Sequence, residues 1–294
     1  MIPPKVILAA VDFSESSRRA LTFAARLAKH ADARLHVIHA QDPLLAHAAR
    51  TAGVDIDAET RAELSAFMQS APPAGDWSPF LEVADGAAVS VLCSAADREN
   101  ADVIVIGAHG MSGISRLMFG STTEGVLRGA DHSVLVVPDS WTPPRADADD
   151  LSGIGPIVAG VEPTSAAIAA AHAAHDLARL LGTSLQLLHV VSPPSVLSRW
   201  STHAETAQRE RLDDARARLT EAAVNRNVTP ENIRVTSGSV AEQLADAVRE
   251  EGGRHPLLVL GRRARAERGG SPGSTAVRVL TLAEAPVLMY LPDR

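Results

Sequence analysis

The chain has very little cysteine, with one thiol, Cys93, among 294 residues. A single thiol excludes an internal disulfide framework and a thiolate metal cluster, and it is the usage expected in a reducing compartment such as the cytoplasm. Positive charge is also scarce, because 28 basic residues face 35 acidic ones and the formal net charge is −7. The chain therefore lacks the basic field that neutralises nucleic-acid phosphates, and we expect no nucleic-acid partner.

Long apolar runs are missing as well. The run at residues 6–11 ends at Asp12 and is too short for the core of a signal peptide. The most apolar stretch, residues 166–181, contains two histidines, Asp176 and Arg179, which are costly in lipid. We therefore expect no membrane partner. Hydrophobic residues make up 46% of the chain and charged residues 21%, a composition typical of a folded globular protein.

The second half of the sequence repeats the first. When the chain is shifted against itself by 150 positions, Leu27 falls on Leu177 and His39 on His189 without a gap. A period of this length indicates a duplicated domain and not a solenoid repeat. We predict two domains, residues 1–146 and 147–294. The proline-rich and acidic segment 141–153 between them is expected to be a solvated linker.

Apolar runs of strand length alternate with helical patterns in each copy. In the first copy residues 5–11 predict a strand buried on both faces, and Ser14 can cap a helix over residues 16–30. Such alternation specifies parallel strands joined by right-handed helical crossovers. We therefore predict an α/β fold with two similar three-layer α/β/α domains, each containing an open five-stranded parallel sheet of Rossmann-like type.

Glycines follow the predicted strand at residues 101–107 with an informative spacing. The pattern ends at the start of a helix and comprises Gly107, Gly110, Gly120, Ser121 and Thr122. Glycine lets phosphate oxygens approach main-chain N–H groups, and the N-terminus of a helix attracts an anion. Asp12, at the end of the neighbouring strand, can accept hydrogen bonds from ribose hydroxyls. Together these residues predict a nucleotide site.

The VDFSES sequence at residues 11–16, the strand-borne His39 and the spacing G-x-x-G-x9-G-[ST] resemble the ATP-binding class of universal stress proteins. The resemblance covers essentially the whole chain as a tandem pair, and it implies the adenine nucleotide alpha hydrolase-like form of the fold. It implies ATP or another adenine nucleotide as the ligand, with Mg²⁺ bridging the phosphates. It implies that adenosine contacts Ala10, Val11, Asp12 and Ala40. It further implies that the phosphates run along Gly107, His109, Gly110, Met111 and Gly113 to Gly120, Ser121 and Thr122.

The second copy departs from this pattern. Glu162 replaces the aspartate, Ala264 replaces the second glycine, and the segment before Gly273 is one residue shorter. Alanine adds a methyl group near the phosphates, and it is strained if the position requires a left-handed backbone. Arginines in the loop add donors that could hold an anion in another geometry. A second nucleotide site and a solvated basic loop both remain open. The second site would comprise Gly160, Glu162, Val190, Gly261, Arg262, Gly273, Ser274 and Thr275.

Catalytic features are few. A Walker A loop needs a lysine where Phe119 and Gly120 stand, and Asp102 begins its strand instead of ending it. His36 and His39 lie on opposite faces of a strand and cannot ligate one metal together. We predict no catalytic and no metal-ligating residue. The favoured function is an ATP-binding stress-response regulator whose occupancy alters contacts with a protein partner. The alternatives are a slow ATPase or phosphotransfer enzyme and a nucleotide-free scaffold.

The last strand of each copy predicts how the copies assemble. Residues 133–138 and 287–291 are both apolar, and each ends its domain. A terminal strand at the edge of a sheet exposes unpaired backbone groups, which proteins cover by pairing or burial. Duplicated domains can pair such strands about a pseudo-twofold axis, an arrangement the resemblance also implies. We predict an internal pseudo-dimer, and we expect that chains can associate further into homodimers.

Overall fold

The computed structural model describes residues 3–69, 78–110, 120–145, 150–162, 165–192, 201–224, 233–250, 254–263 and 273–292. The first half of the molecule, residues 3–145, contains β1 (Val6–Ala10), α1 (Glu15–Ala31), β2 (Arg34–Gln41), α2 (Pro43–Thr51), α3 (Ile56–Gln69), β3 (Phe80–Asp85), α4 (Ala88–Glu99), β4 (Val103–Gly107), α5 (Ser121–Gly129) and β5 (Ser133–Val137). The second half, residues 150–292, contains β6 (Ile154–Gly160), α6 (Ser165–Leu180), β7 (Leu185–Val191), α7 (Ser201–Val224), β8 (Ile233–Ser237), α8 (Val240–Glu250), β9 (His255–Gly261), α9 (Ser274–Leu282) and β10 (Val287–Tyr290).

The described strands form one continuous sheet in the order β3-β2-β1-β4-β5-β10-β9-β6-β7-β8. Within each half the five strands are parallel, as the alternation of strands and helices predicted. The two halves meet at the antiparallel pair β5 and β10, where Leu135 lies opposite Leu288 and Val136 opposite Val287. The predicted fold class and the predicted pairing of the terminal strands are both confirmed.

Two hydrophobic cores lie on opposite faces of the sheet, and each core spans both halves. Leu135 and Leu288 belong to the core beneath α1 and α6, together with Phe23. Val134 and Met289 belong to the core on the opposite face. This division follows from strand geometry, because successive side chains point to opposite faces. Side chains of the β5–β10 pair are therefore buried on both faces of the sheet, and each core holds the two halves together.

Helix α1 begins as the sequence predicted. Ser14 is its N-cap, and the Ser14 hydroxyl accepts a hydrogen bond from the N–H of Ser17. Helix α2, by contrast, was not predicted from the sequence. Leu44 and Leu45 of α2 are exposed and Ala46 is its buried residue, so it lacks the apolar stripe that identifies a helix in sequence.

The segment between the halves is not simply a solvated linker, which corrects the expectation from its composition. Trp141 and Leu151 are buried, and the Trp141 ring packs edge-on against Phe23 at 5.2 Å between centroids. The buried guanidinium of Arg26 donates from Nη1 to the carbonyl oxygen of Arg145 over 2.8 Å. Two large apolar side chains therefore draw the described ends of this segment into the core. The predicted boundary between residues 146 and 147 falls outside the described residues.

Candidate nucleotide site

A cavity opens where the strand order of the first half reverses. β1 lies between β2 and β4, so the chain crosses to opposite sides of β1 at this point. In open parallel sheets this reversal leaves a crevice beyond the carboxyl ends of the strands. The cavity found there has a volume of about 330 Å³, within the range of small-molecule sites.

The cavity brings together ten of the twelve residues that the resemblance implied for the first copy. These are Ala10, Val11, Asp12, Ala40, Gly107, His109, Gly110, Gly120, Ser121 and Thr122. The other two, Met111 and Gly113, lie outside the described residues. The sequence reasoning missed six further lining residues, namely Ser17, Ile38, Ala88, Leu92, Ile106 and Thr123. Most of these read in sequence as ordinary core positions, because periodicity signals burial but not the identity of the neighbour.

Asp12 is held near the N-terminus of α1 by hydrogen bonds with Ser14 and Ser17. Its Oδ1 accepts a hydrogen bond from the N–H of Ser14 over 3.1 Å and another from the Ser14 hydroxyl. The N–H of Asp12 donates to Oγ of Ser17 over 3.3 Å. The turn therefore fixes the carboxylate beside the cavity before any ligand arrives.

The end of β1 is fixed from the neighbouring strand. His39 donates from Nδ1 to the carbonyl oxygen of Val11 over 2.8 Å. Phe13, two residues after Val11, has a φ of 65°, a backbone conformation that is strained for a residue with a bulky side chain. Its ring packs against the His39 ring at 4.6 Å and edge-on against Phe67. These contacts hold the chain between Val11 and Ser14 in the sharp turn that presents Asp12.

Close packing explains the glycines of the pattern. A Cβ on Gly107 would lie 2.5 Å from Oγ of Ser16, so this glycine lets α1 approach β4. A Cβ on Gly110 would lie 2.8 Å from Oδ2 of Asp12. Neither glycine has a positive φ, so the Gly110 position does not require a left-handed backbone. The requirement at Gly110 is instead space beside the Asp12 carboxylate.

The N-terminus of α5 points into the cavity. Gly120 is its N-cap, and the Gly120 N–H donates to the carbonyl oxygen of Ala108 over 3.0 Å. The Thr123 hydroxyl donates to the carbonyl oxygen of Gly107 over 2.8 Å. These two bonds tie the first turn of α5 to the end of β4. The N–H groups of Ser121 and Thr122 have no acceptor within the helix, which is the arrangement that binds anions.

His109 has an acidic neighbour that the sequence reasoning missed. Its Nδ1 lies 2.9 Å from Oδ2 of Asp139, a residue just beyond β5. The N–H of His109 donates to Oγ of Ser16 over 3.2 Å. Asp139 follows β5, whose carboxyl end lies at the same edge of the sheet as Gly107 at the end of β4. This position at a strand end was the signal in the sequence that could have identified Asp139. The pair places a carboxylate beside the imidazole that lines the cavity.

The corresponding region of the second half is built differently. Gly160 replaces Ala10, and a Cβ there would lie 2.6 Å from Cδ2 of Leu260 and 2.9 Å from Cδ2 of Leu244. Glu162 is exposed after β6, whereas Val190 is half-buried among apolar neighbours on β7. Leucine side chains thus fill the space that the Ala10 methyl group occupies in the first half.

The second helix start also differs from the first. Gly273 caps α9 with a φ of 88°, whereas the φ of Gly120 is −58°. Ser274 and Thr275 open α9 and are exposed, and Gly261 ends β9. The next position carries Ala276 where the first half has Thr123, so the hydroxyl bond that ties α5 to its strand has no equivalent.

Arg262 does not occupy the phosphate path proposed for it, which is a correction. Its guanidinium is buried between the halves, where Nη1 donates to the carbonyl oxygen of His132 over 2.7 Å. Nη2 donates to the carbonyl oxygens of Leu127 and Ala130. Burial lowers the pKa of the His132 imidazole, an effect that Asp97 opposes and the Arg262 cation reinforces. The antiparallel pairing of β5 with β10 brings α5 within reach of this side chain.

The fold and the cavity define a tandem Rossmann-like α/β protein with a crevice at the strand ends of its first half. The sequence matches the model of the Universal stress protein family over residues 4–138 and 153–290. The chain belongs to the universal stress protein family.

Individual relatives agree with this assignment. A universal stress protein of Mycolicibacterium smegmatis is 26% identical over 306 aligned positions, covering 97% of each chain. Universal stress protein A homolog 2 of Coxiella burnetii is 34% identical over 138 positions, covering 45% of this chain and 94% of its own. The crystal structure of a universal stress protein from Archaeoglobus fulgidus superposes with a TM-score of 0.64 at 19% identity, covering 98% of both chains. In the described part of this chain, no helix is long and apolar enough to cross a membrane.

Proposed function

We propose that the first half binds ATP in the cavity at the ends of β1, β2 and β4. The supporting observation is that one cavity of about 330 Å³ is lined by all ten described residues that the glycine pattern and the resemblance had selected. Such convergence is not required by packing alone, because these residues come from three strands, from the segments that follow β1 and β4, and from the start of α5. The geometry supports a small-molecule site of nucleotide size and chemistry.

Each part of the cavity suits one part of the ligand. The half-buried Ala40 and Ala88, together with Ile106, offer apolar surface for the adenine base. The Asp12 carboxylate is positioned for the ribose hydroxyls. The phosphates would follow Gly110 to the N-terminus of α5, where main-chain N–H groups and the helix dipole favour negative charge.

The ligand is proposed to carry Mg²⁺ on its phosphates, where the metal would neutralise their charge. The described residues contain no cluster of three or more histidine, cysteine or acidic side chains arranged to hold a metal ion. The metal is therefore assigned to the phosphate oxygens and water and not to a protein cage. The protein part of the site supplies orientation through Asp12 and anion binding through α5.

The protein is proposed to act as a cytoplasmic stress-response regulator whose contacts with a protein partner depend on nucleotide occupancy. The second half is assigned a scaffolding role, because leucines pack against Gly160 and Arg262 is committed to the contact between the halves. Further association of chains into homodimers stays a prediction.

The test is a direct measurement of bound and binding nucleotide. The purified protein is denatured, the released small molecules are chromatographed, and ATP affinity is measured by calorimetry on ligand-free protein. Gly110→Asp should abolish ATP binding, because its side chain would enter the space beside Oδ2 of Asp12. Gly182→Asp adds the same charge at a turn of the second half where a Cβ would meet no atom within 4 Å. The φ of 62° there strains a side chain and lowers stability, but the folded protein should bind ATP as wild type does. A folded Gly110→Asp protein with wild-type affinity would remove this site.

Slow ATP hydrolysis is a second candidate function, favoured by the His109–Asp139 pair. An imidazole with a carboxylate close to one ring nitrogen can accept a proton from an attacking water molecule at the other. Phosphate release by the wild type should be slow, and at saturating ATP it should fall about a hundredfold in His109→Gln. Equal release rates in the two proteins would leave binding as the only activity of the site.

A further inference from the structure

We propose that Arg262, a residue of the second half, is a positioning residue for the phosphate end of the nucleotide site in the first half. The inference rests on the proposed function, because it concerns the site at Gly120, Ser121 and Thr122. It makes that site a product of both halves, although every residue that lines the cavity belongs to the first.

The carbonyl groups that Arg262 binds terminate α5. Leu127 lies in the last turn of the helix, and Ala130 is its C-cap. His132 follows in the turn to β5, so Arg262 binds the helix end and the turn together. A cation at this end complements the helix dipole, and a charged donor makes stronger hydrogen bonds to carbonyl groups than a neutral one.

Helix α5 connects the phosphate end of the site with the carbonyl groups that Arg262 binds. It has nine residues, and at this length it spans about 13 Å from the phosphate end to the Arg262 end. A helix so short is marginal by itself, so its position depends on what holds its ends. The first turn is held by the bonds from Gly120 to Ala108 and from Thr123 to Gly107. The last turn is held from the other half of the molecule by Arg262.

The arginine contact has no equivalent at the matching position of the first half. The residue equivalent to Arg262 in the first half is Ala108, and both backbone N–H groups bond to the terminal strand of their own half. Ala108 donates to Val137 over 3.0 Å and Arg262 donates to Tyr290 over 2.7 Å. Alanine has no side-chain donor to extend towards α9. The arginine therefore supports the half that retains the complete glycine pattern. The first half returns a neutral hydrogen bond, from the Ser140 hydroxyl to the carbonyl oxygen of Glu284 beyond α9 over 3.2 Å.

The experiment compares ligands with and without phosphates in the full chain. ATP and adenosine affinities are measured by calorimetry, well below the thermal transition, for wild type, Arg262→Ala and Arg262→Lys. Arg263→Ala, at the exposed neighbouring position, is the matched control. Arg262→Ala should weaken ATP binding about tenfold and change adenosine binding less than twofold. The ATP affinity of Arg262→Lys should lie between those of wild type and Arg262→Ala, and the ATP affinity of Arg263→Ala should equal that of wild type.

Amide hydrogen exchange supplies the second readout. Without nucleotide, the N–H groups at residues 124–126 should exchange faster in Arg262→Lys than in wild type, which tests positioning even if Arg262→Ala does not fold. Equal ATP affinities in the wild type and the folded Arg262 variants overturn this inference alone. Equal weakening of ATP and adenosine overturns it as well, because the effect would then not act at the phosphate end. Absence of ATP binding by the wild type overturns the proposed function and this inference with it.

Discussion

His39 donates a hydrogen bond from Nδ1 to the carbonyl oxygen of Val11, and the same bond joins His189 to Val161 in the second half. The distances are 2.8 Å and 2.6 Å. The duplication has kept this support of the first strand end even where the adjacent acid differs, with Asp12 in one half and Glu162 in the other. The bond is therefore a structural feature of both halves, and only in the first half is it expected to affect nucleotide binding as well.

Replacing either histidine by phenylalanine separates these two roles. His39→Phe and His189→Phe should each lower the free energy of unfolding by about 1–3 kcal/mol, because each leaves a carbonyl group without its donor. Only His39→Phe should also weaken ATP binding, since it loosens the turn that presents Asp12. Urea denaturation and calorimetry measure the two effects. A loss of ATP affinity in His189→Phe would contradict the assignment of nucleotide binding to the first half.

The role of Asp12 is tested with a ligand that lacks the ribose hydroxyls. Asp12→Ala should weaken ATP binding by about ten- to a hundredfold, the loss expected for hydrogen bonds to a charged group. The affinity for 2′,3′-dideoxy-ATP should be low in wild type and unchanged by the substitution. Asp12→Asn keeps an oxygen for Ser14 and isolates the effect of charge, and Glu162→Ala is the control in the second half. A substitution that weakens both nucleotides equally would assign Asp12 a structural role alone.

The paired terminal strands should hold the halves together. Leu135 and Val137 are fully or almost fully buried at this seam, so replacing both by lysine places two charges in the core. We expect a larger radius of gyration by small-angle scattering and a lower thermal transition. Leu135→Met, which conserves volume, should cost less than about 1.5 kcal/mol. A double-lysine protein as compact and stable as wild type would show that this strand pair does not dock the halves.

Stability should fall in mild acid because of His132. Burial, aided by the Arg262 cation, holds the pKa of His132 below its ordinary value of 6.5, while Asp97, Asp131 and Asp102 oppose the shift. As the pH falls below 6.5 the unfolded chain therefore takes up this proton before the folded protein does. The contribution of His132 to stability is complete above pH 6.5 and is progressively lost below it.

The measurement is urea denaturation between pH 7.5 and 5. His132→Asn should flatten the dependence of the free energy of unfolding on pH in this interval. His47→Asn, on the exposed face of α2, is the control and should leave the dependence as in wild type. A His132→Asn protein with the full wild-type slope would place the titrating group elsewhere.

The sequence by itself determined the fold class and most of the candidate site. Runs of strand length alternating with helical patterns specify parallel sheets, and the carboxyl ends of parallel strands share one edge. The sequence therefore predicts that Asp12 and Gly107 lie close together in space, although they are far apart in the chain. The repeat at 150 positions and the apolar terminal strands were equally visible, because both are properties of residue order and local burial.

Only the tertiary structure decided the contacts that cross from one half to the other. Arg262 stands beside other arginines in a loop-like sequence, and nothing local distinguishes it from a phosphate ligand. Its carbonyl partners lie 130 to 135 positions earlier in the chain and come within reach only after β5 and β10 have paired. The contacts of Trp141 with Phe23 and of His109 with Asp139 lie within the first half, and they too depend on which distant segments the sheet brings together. Local patterns encode which side chains are buried, whereas the partner of a long polar side chain depends on which distant segments the docked sheet brings beside it.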